Sequence, residues 1–442
     1  MIYDSLEELQ EEVSKFYSDG TILDEQQLRN TLIDKLVYTA VLSEDEALRS
    51  EARVFVRNIA KSFGAISSSI HNVYLAVGDG KIPRDFSVPA INVRFMTYDT
   101  AQIIFKLIQQ HKVGAVIFEI ARSEIEYTSQ RPDEYAVSVL GAAVKAGYKG
   151  PVFIQGDHFQ FSLNRYRESA ETETNKIKDL IKESLEADFN NIDIDASTLV
   201  DLTKPTQDEQ QMTNYAVTAE LTEYIRSIQG EHHISVGAEI GHIGGKNSTS
   251  EELSAFMQGY RKQIPDVENG ISKISVQTGS SHGGIVLPDG TIASVEIDFN
   301  VISQCGETAY DTYKLGGVVQ HGASTLPDAL FHKFPESRTL EVHLATGFQN
   351  IVFDTMPTKL NEEMSKWTME NCSEDKERDP KWNDKQFVYK LRKKSIGPFK
   401  KQCWMLTDEE KRPIIEGLQK QLSFIFEQLN VFNTAEKILP HV

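Results

Sequence analysis

The sequence is poor in the features that mark secreted, membrane and nucleic-acid-binding proteins. Only three of its 442 residues are cysteine, without metal-knuckle spacing, which indicates reduced thiols rather than a disulfide framework. No run approaches the ~20 apolar residues of a membrane span, and the acidic, amphipathic start does not resemble a signal peptide. Positive charge is scarce, because 46 Lys and Arg against 65 Asp and Glu leave a net charge of −19. This balance disfavours binding to phosphate backbones, so we expect a cytoplasmic protein that binds neither nucleic acid nor membrane.

The chain changes character near residue 85. Before that point, segments 6–17, 25–42 and 44–63 carry apolar residues at helical spacing and charge on the other face. They predict an N-terminal helical extension over residues 1–80 that packs on something larger.

Short apolar strands alternate with amphipathic helices over residues 81–355. The predicted strands are 88–93, 114–120, 151–157, 190–196, 234–240, 273–279, 317–323 and 340–346. Strands that are apolar throughout are typical of a parallel sheet buried on both faces. Eight of them alternating with helices predict an α/β fold, a (β/α)₈ TIM barrel. An open doubly wound sheet is the alternative, but no glycine-rich dinucleotide turn follows the first strand.

The last part of the chain predicts a C-terminal helical extension over residues 356–442. Residues 361–385 are polar and are expected to be an irregular connection between helices. A basic segment, residues 390–401, precedes a final amphipathic helix over 409–432.

Polar residues stand at the ends of several predicted strands, where a barrel places its chemistry. Three histidines on three strands would suit a divalent metal with one position open to substrate, although a single histidine is more often a hydrogen-bonded core or surface residue. The strand-end residues are Asp157, His158, Asp195, Glu239, His282 and His321. Asp193 is expected to face away from Asp195 and to be structural.

The motifs around these residues resemble those of the class II, metal-dependent ketose-bisphosphate aldolases. They are PVFIQGDH, NIDIDAS, VGAEIGHIGG, TGSSHGG and VVQHGAS, and they occur in the family's order between residues 151 and 324. The segments AINVRFMTYDTAQIIFKLI and FEIARSEIEYTSQRPDEY are closer to the tagatose-bisphosphate aldolase partner subunits and related ketose epimerases.

This resemblance implies a role for each matching residue. His158, His282 and His321 would bind Zn²⁺, or another divalent ion such as Mn²⁺ or Co²⁺, with Glu239 as a further ligand or a supporting carboxylate. Asp157 would transfer the proton at the C4 hydroxyl when the C3–C4 bond of a ketose breaks. Substrate or phosphate contacts are implied for Asn92, Asp195, Gly283, Gly322, Ser324, His343 and Thr346.

The chain also departs from the family pattern. Lys246 and Asn247 replace acids of the segment that supplies a second catalytic acid, and Glu251 or Glu252 would substitute only if that segment folds back. His343 stands in place of an asparagine, and the phosphate-loop lysine is missing. The basic segment, with Arg392, Lys393, Lys394, Lys400 and Lys401, either supplies charge near a substrate phosphate, within the chain or across a subunit interface, or forms a solvated helix face.

These features predict a metal-dependent aldolase that reversibly cleaves a ketose (bis)phosphate, such as fructose or tagatose 1,6-bisphosphate, to dihydroxyacetone phosphate and an aldehyde. A ketose C4-epimerase, of the tagatose/fructose or hexuronate type, is the first alternative because it uses the same retro-aldol chemistry. A non-catalytic partner subunit of a tagatose-bisphosphate aldolase is the second. The resemblance also implies a homodimer or homotetramer that binds a small sugar or sugar phosphate.

Overall fold

Eight parallel strands form a closed barrel at the centre of the protein. The computed structural model describes residues 2–241, 246–279, 286–288, 296–375 and 377–442. The barrel strands are β1 (Val88–Asn92), β2 (Ile117–Ala121), β3 (Gly150–Gln160), β4 (Asn191–Asp195), β5 (Ser235–Glu239), β6 (Lys273–Val276), β7 (Val318–Gln320) and β8 (Glu341–Leu344). Each strand pairs with its neighbours in the sequence, and β8 pairs with β1 to close the sheet. The predicted (β/α)₈ barrel is therefore confirmed.

Helices follow the strands and cover the outside of the barrel. They are Thr97–His111, Arg122–Tyr127, Pro132–Ala146, Leu163–Glu168, Ala170–Glu186, Gln207–Ile228, Ser250–Gln263, Phe299–Glu307, Lys333–Glu336 and Thr346–Thr355. Short helical turns lie at Ser197–Leu199, Thr308–Thr312, Ala323–Thr325 and Asp328–Leu330. This alternation explains the apolar strands, because each strand is covered by barrel interior on one face and by helix on the other.

The N-terminal extension is helical, as predicted. It contains Leu6–Ser14, Glu25–Gln27, a π-helical turn Leu28–Leu32, Ile33–Leu42, Glu46–Phe63 and His71–Gly78, with short strands Tyr17–Ser18, Thr21–Ile22 and Ala65–Ser67. Gly141 lets helix Ile33–Leu42 approach helix Pro132–Ala146, since a Cβ at Gly141 would lie 2.3 Å from Cγ2 of Val37. The extension therefore shares a continuous hydrophobic core with the barrel.

The C-terminal part contains more helix than the sequence predicts. Its helices are Thr358–Asn371, Asp384–Leu391, Lys400–Trp404, Asp408–Gln428 and Ala435–Ile438, with turns at Arg392–Ser395 and Leu439–His441. The prediction of an irregular connection over 361–385 is wrong for its first half. Leu360, Met364 and Thr368 recur at four-residue spacing and are the buried residues of helix Thr358–Asn371.

This part also packs on the barrel and the N-terminal helices. The Tyr38 hydroxyl donates to the carbonyl of Trp404 at 3.1 Å, and Leu418 and Leu422 of the last long helix belong to the shared core. The domain boundaries predicted at residues 80 and 355 stay predictions. Among the described residues, no helix has the length and apolar character that crossing a membrane requires.

Candidate active site

A cavity of about 850 Å³ opens at the carboxyl ends of the barrel strands. This is the end at which a TIM barrel places its chemistry. Eight of the residues predicted from the sequence line it: Asn92, Asp157, His158, His321, Gly322, Ser324, His343 and Thr346. Asp195 and Glu239 end β4 and β5 and contact the cavity residues from the same side.

A bulge in β3 brings two consecutive side chains into the same site. The β3–β4 register shifts between Gly156 and Phe159, and His158 has a positive φ of 42°. In a regular strand Asp157 and His158 would point to opposite faces, whereas here donor atoms of both lie within 4.8 Å of a donor atom of His321. The irregular backbone thus builds the centre of the site.

His158 is held by two buried carboxylates. Its Nδ1 lies 2.8 Å from Oε1 of Glu239 and 3.1 Å from Oδ2 of Asp195. Asp195 also accepts from the backbone N–H and the hydroxyl of Ser197, so its orientation is fixed. A carboxylate on one ring nitrogen commonly orients a metal-binding histidine.

The charge balance of this group fits a bound cation. Burial, together with the Asp195 carboxylate, raises the pKa of Glu239 to about 8, although His158 opposes the shift. Oε1 of Glu239 also lies 3.7 Å from Nε2 of His321. Two imidazoles and buried carboxylates are donors that zinc, manganese and cobalt accept. His158, His321 and Glu239 would hold such an ion, and Asp157 lies beside them.

The third predicted histidine ligand is not placed. His282 and Gly283 lie outside the described residues, as do residues 242–245 of the β5 motif. Strand β6, which precedes His282, pairs with β5 and β7 and so ends between Glu239 and His321. The roles of His282 as a metal ligand and of Gly283 as a phosphate contact stay predictions.

His343 belongs to a second cluster that adjoins the first. Its Nδ1 lies 3.0 Å from Oε2 of Glu119 and 3.3 Å from Oδ1 of Asp157, and its ring centroid lies 4.1 Å from that of His321. Burial lowers the pKa of His343, but the Glu119 and Asp157 carboxylates outweigh it and raise the pKa well above its ordinary value. The Glu119 and Asp157 carboxylates thus favour the protonated form of His343, which stands where the sequence resemblance implies an asparagine.

Below these clusters the barrel interior contains an ionic layer that the sequence analysis missed. Lys273 is 1% exposed, and its Nζ lies 2.6 Å from Oε1 of Glu341, 3.0 Å from Oδ2 of Asp193 and 2.7 Å from Oε1 of Gln155. Oε1 of Glu341 in turn accepts from Nε2 of His343 at 2.5 Å. Charged residues inside otherwise apolar strands were the available signal, because barrel interiors are usually filled by branched apolar side chains.

One expectation about β4 is wrong. Asp193 does not face away from Asp195: it points into the barrel towards Lys273 and lies 3.9 Å from Nε2 of His343. Residues two apart on a strand share a face, so both carboxylates belong to the interior.

The predicted phosphate contacts lie on one wall of the cavity, beside an arginine. Gly322 has a positive φ of 71° and starts the turn that contains Ser324. Nη1 of Arg94 lies 3.4 Å from Oγ1 of Thr346, and its Nε donates to Glu124 at 2.7 Å. The amide of Asn92 donates to the same Glu124 carboxylate. Arg94 thus places a positive charge beside Thr346, although the family's phosphate-loop lysine is missing from this chain.

The basic segment does not line the cavity of its own chain. Of the described residues, those that line the cavity include none from 390–401. Arg392 is paired with Asp354, Lys394 with Asp375, and Lys400 with Glu134. Within a single chain the segment is ion-paired and does not line the cavity, so a contribution of its charge to a substrate phosphate across a subunit interface stays a prediction.

Glu252 is one of the two residues that could substitute for the acids replaced by Lys246 and Asn247, and it does reach the cavity. Glu252 lines it, is 4% exposed and pairs with Lys246 at 2.6 Å. It also belongs to the capping box that begins helix Ser250–Gln263 at Thr249. Glu252 therefore reaches the cavity, and its role as a second catalytic acid stays a prediction.

A TIM barrel with a histidine and carboxylate centre at its carboxyl end defines the class of this protein. Residues 83–401 match the family model of class-II fructose-bisphosphate aldolase, and the chain belongs to that family. No curated protein matches it.

Several solved structures share the fold. The fructuronate-tagaturonate epimerase of Cohnella laeviribosi has 11% identity and a TM-score of 0.58 over 89% of this chain and 90% of its own. A probable tagatose 6 phosphate kinase of Sinorhizobium meliloti 1021 has 10% identity and a TM-score of 0.54 over 80% and 100%. The fructose-bisphosphate aldolase of Campylobacter jejuni has 16% identity and a TM-score of 0.50 over 84% and 97%.

Proposed function

We propose that this protein is a divalent-metal-dependent aldolase that cleaves and forms the C3–C4 bond of a ketose. The observation that carries the proposal is the convergence of Asp157, His158 and His321 in one cavity, with donor atoms within 4.8 Å of one another. Membership of the class II aldolase family supports the same chemistry.

Each residue has a step to perform. A divalent ion, when bound, would act as a Lewis acid on the ketose carbonyl. Asp157 takes the proton of the C4 hydroxyl, C4 becomes the aldehyde carbon, and the electron pair of the C3–C4 bond moves to C3. Asp195 holds the ring of His158 at Nδ1 and so keeps the metal-binding geometry. A buried carboxylate in such a position is an effective proton-transfer group.

A second candidate is epimerisation at C4 by the same bond cleavage, followed by addition to the other face of the retained aldehyde. His343 favours it, because a second proton-transfer group 3.3 Å from Asp157 could serve the aldehyde oxygen after it turns over. The fold match to the fructuronate-tagaturonate epimerase also covers 89% of this chain.

Carbon NMR of the zinc-loaded protein with labelled ketoses tests both candidates. The substrates are fructose and tagatose, each free and as the bisphosphate, together with fructuronate. Triose products that disappear with a chelator would support the aldolase, whereas an intact C4 epimer would support the epimerase.

Absence of both products with every ketose would overturn the proposal. The non-catalytic partner subunit would then be the remaining hypothesis. To test it, we would measure whether the His158→Asn variant stabilises a tagatose-bisphosphate aldolase. That variant retains the barrel surface but not the metal-binding imidazole.

A further inference from the structure

Two arginines at the cavity wall share one buried carboxylate. Nη1 of Arg122 lies 2.7 Å from Oε1 of Glu173, and Nε of Arg165 lies 3.0 Å from Oε2 of the same residue. Glu173 is 1% exposed and also accepts from the backbone N–H of Ser162 at 3.1 Å. Oε1 of Glu173 thus accepts hydrogen bonds from Arg122 and Ser162, whereas Oε2 makes an ion-pair contact with Arg165.

Two arginines against Glu173 leave one positive charge in excess at this part of the wall. Glu126 also lines the cavity, but among the described residues no ion pair joins it to either arginine. Arg122 and Arg165 both line the cavity, whereas Glu173 is not among the described residues that do. The hydrogen bonds that Arg122 makes with described residues start from Nη1, to Glu173 and to the carbonyl of Gln160. Guanidinium groups present a rigid fork of donors that matches carboxylates and phosphates alike, so the charge of the ligand has to distinguish the two.

The other cations of the cavity wall are already matched. Arg94 pairs with Glu124 at 2.7 Å, and Lys246 pairs with Glu252 at 2.6 Å. The segments outside the described residues that adjoin β5 and β6, residues 242–245, 280–285 and 289–295, contain no Lys or Arg in the sequence.

The one positive charge in excess at Arg122 and Arg165 therefore suits a ligand group with a single negative charge. A carboxylate carries one negative charge, whereas each phosphate of a bisphosphate carries about −1.5 to −2 at pH 7. The single excess charge at the two arginines matches the first but not the second, and the carboxylate of Glu126 on the same wall further disfavours a doubly charged group.

The arginine pair also adjoins the reacting centre. Ala121, which precedes Arg122, pairs with Asp157 in the β2–β3 register. Gln160, whose carbonyl accepts from Arg122, donates through its side chain to Asp195, the partner of His158. A ketose with its C4 hydroxyl at Asp157 can thus extend its far end towards the pair.

From these observations we infer that Arg122 and Arg165 form a subsite for the terminal carboxylate of the substrate, which makes the substrate a ketouronate. The inference rests on the proposed retro-aldol function and specifies the substrate class for that site. It applies equally to cleavage and to epimerisation.

Isothermal titration calorimetry with three matched ligands tests the subsite. Fructuronate, fructose 6-phosphate and fructose share one carbon skeleton and end at C6 in a carboxylate, a phosphate or an alcohol. We expect the zinc-loaded protein to bind fructuronate at least 10-fold more tightly than either of the others. Arg122→Gln and Arg165→Gln should each weaken fructuronate binding about 10- to 100-fold, the usual range for a lost charge-assisted hydrogen bond, and leave fructose binding unchanged.

Arg131→Gln is the matched control. Arg131 is 53% exposed at the side chain and pairs with Glu183, while Arg165 is 52% exposed and pairs with Glu173. The control should leave all three affinities unchanged, and retained fructose binding shows that each variant is folded.

Tighter binding of fructose 6-phosphate, or equal loss of all three ligands in the arginine variants, would overturn the subsite. The assay needs no turnover, so its failure is separable from failure of the retro-aldol function. Cleavage of a bisphosphate without preference for fructuronate would refute the subsite alone. Selective fructuronate binding without any bond cleavage would refute the function alone.

Discussion

Replacing Lys273 with methionine should destabilise the whole barrel. The lysine bridges Glu341 on β8 and Asp193 on β4 at 2.6 and 3.0 Å. All three side chains are buried, so water cannot solvate the two carboxylates once the lysine is removed. Removal of one partner of a buried ion pair typically costs about 3–5 kcal/mol, because the remaining charge is uncompensated. That is a large part of a typical folding free energy of about 5–15 kcal/mol.

Urea unfolding followed by far-ultraviolet circular dichroism measures this loss. The double variant Lys273→Met with Glu341→Gln should recover part of it, since one of the two stranded carboxylates is then neutral. Lys15→Met is the control: Lys15 and Glu11 are 57% and 77% exposed, and their pair at 3.1 Å should contribute less than about 1 kcal/mol. A loss below about 1 kcal/mol for Lys273→Met would refute the view that the ionic layer supports the barrel.

Three further predictions concern the site and the ionic layer. Asp195→Asn should weaken zinc binding about 10- to 100-fold in a competition assay with a fluorescent chelator, because the carboxylate that orients His158 is lost; unchanged affinity would argue against that role. Asp157→Asn should lower ketose turnover at least ~100-fold while the protein stays folded, and near-normal turnover would exclude Asp157 as the proton-transfer residue. Burial alone would raise the pKa of Glu341, but Lys273 outweighs it and holds the pKa below its ordinary range. The stability from this carboxylate is therefore present above about pH 4.3 and is lost as the pH falls further, so Glu341→Gln should flatten the acid limb of the stability curve; an unchanged limb would contradict the assignment.

The barrel was predictable from the sequence because its strands are apolar on both faces and alternate with amphipathic helices. Each of the eight predicted strands overlaps an observed one. The helix Thr358–Asn371 was not predicted, since its three buried residues are spread among many polar ones. Polarity of a segment reports its solvent-facing side and not whether it forms a helix.

For the site, the strand-end motifs identified which residues meet but not how. Strand alternation alone would place Asp157 and His158 on opposite faces. Both side chains face the site because β3 has a bulge in its pairing with β4, and local sequence patterns do not predict that bulge. The ionic layer around Lys273 requires strands far apart in the sequence to face one another. Such contacts follow from barrel closure and cannot be read from local patterns.

The most direct test of the account is a metal titration of ketose cleavage. Chelator-treated protein should be inactive, and turnover of the ketose that carbon NMR identifies should rise linearly with added zinc until one ion is bound per chain. His158→Asn should bind zinc weakly and stay inactive throughout the same titration. Turnover in the chelator-treated protein, or turnover that zinc does not change, would contradict a metal-dependent aldolase built on Asp157, His158 and His321.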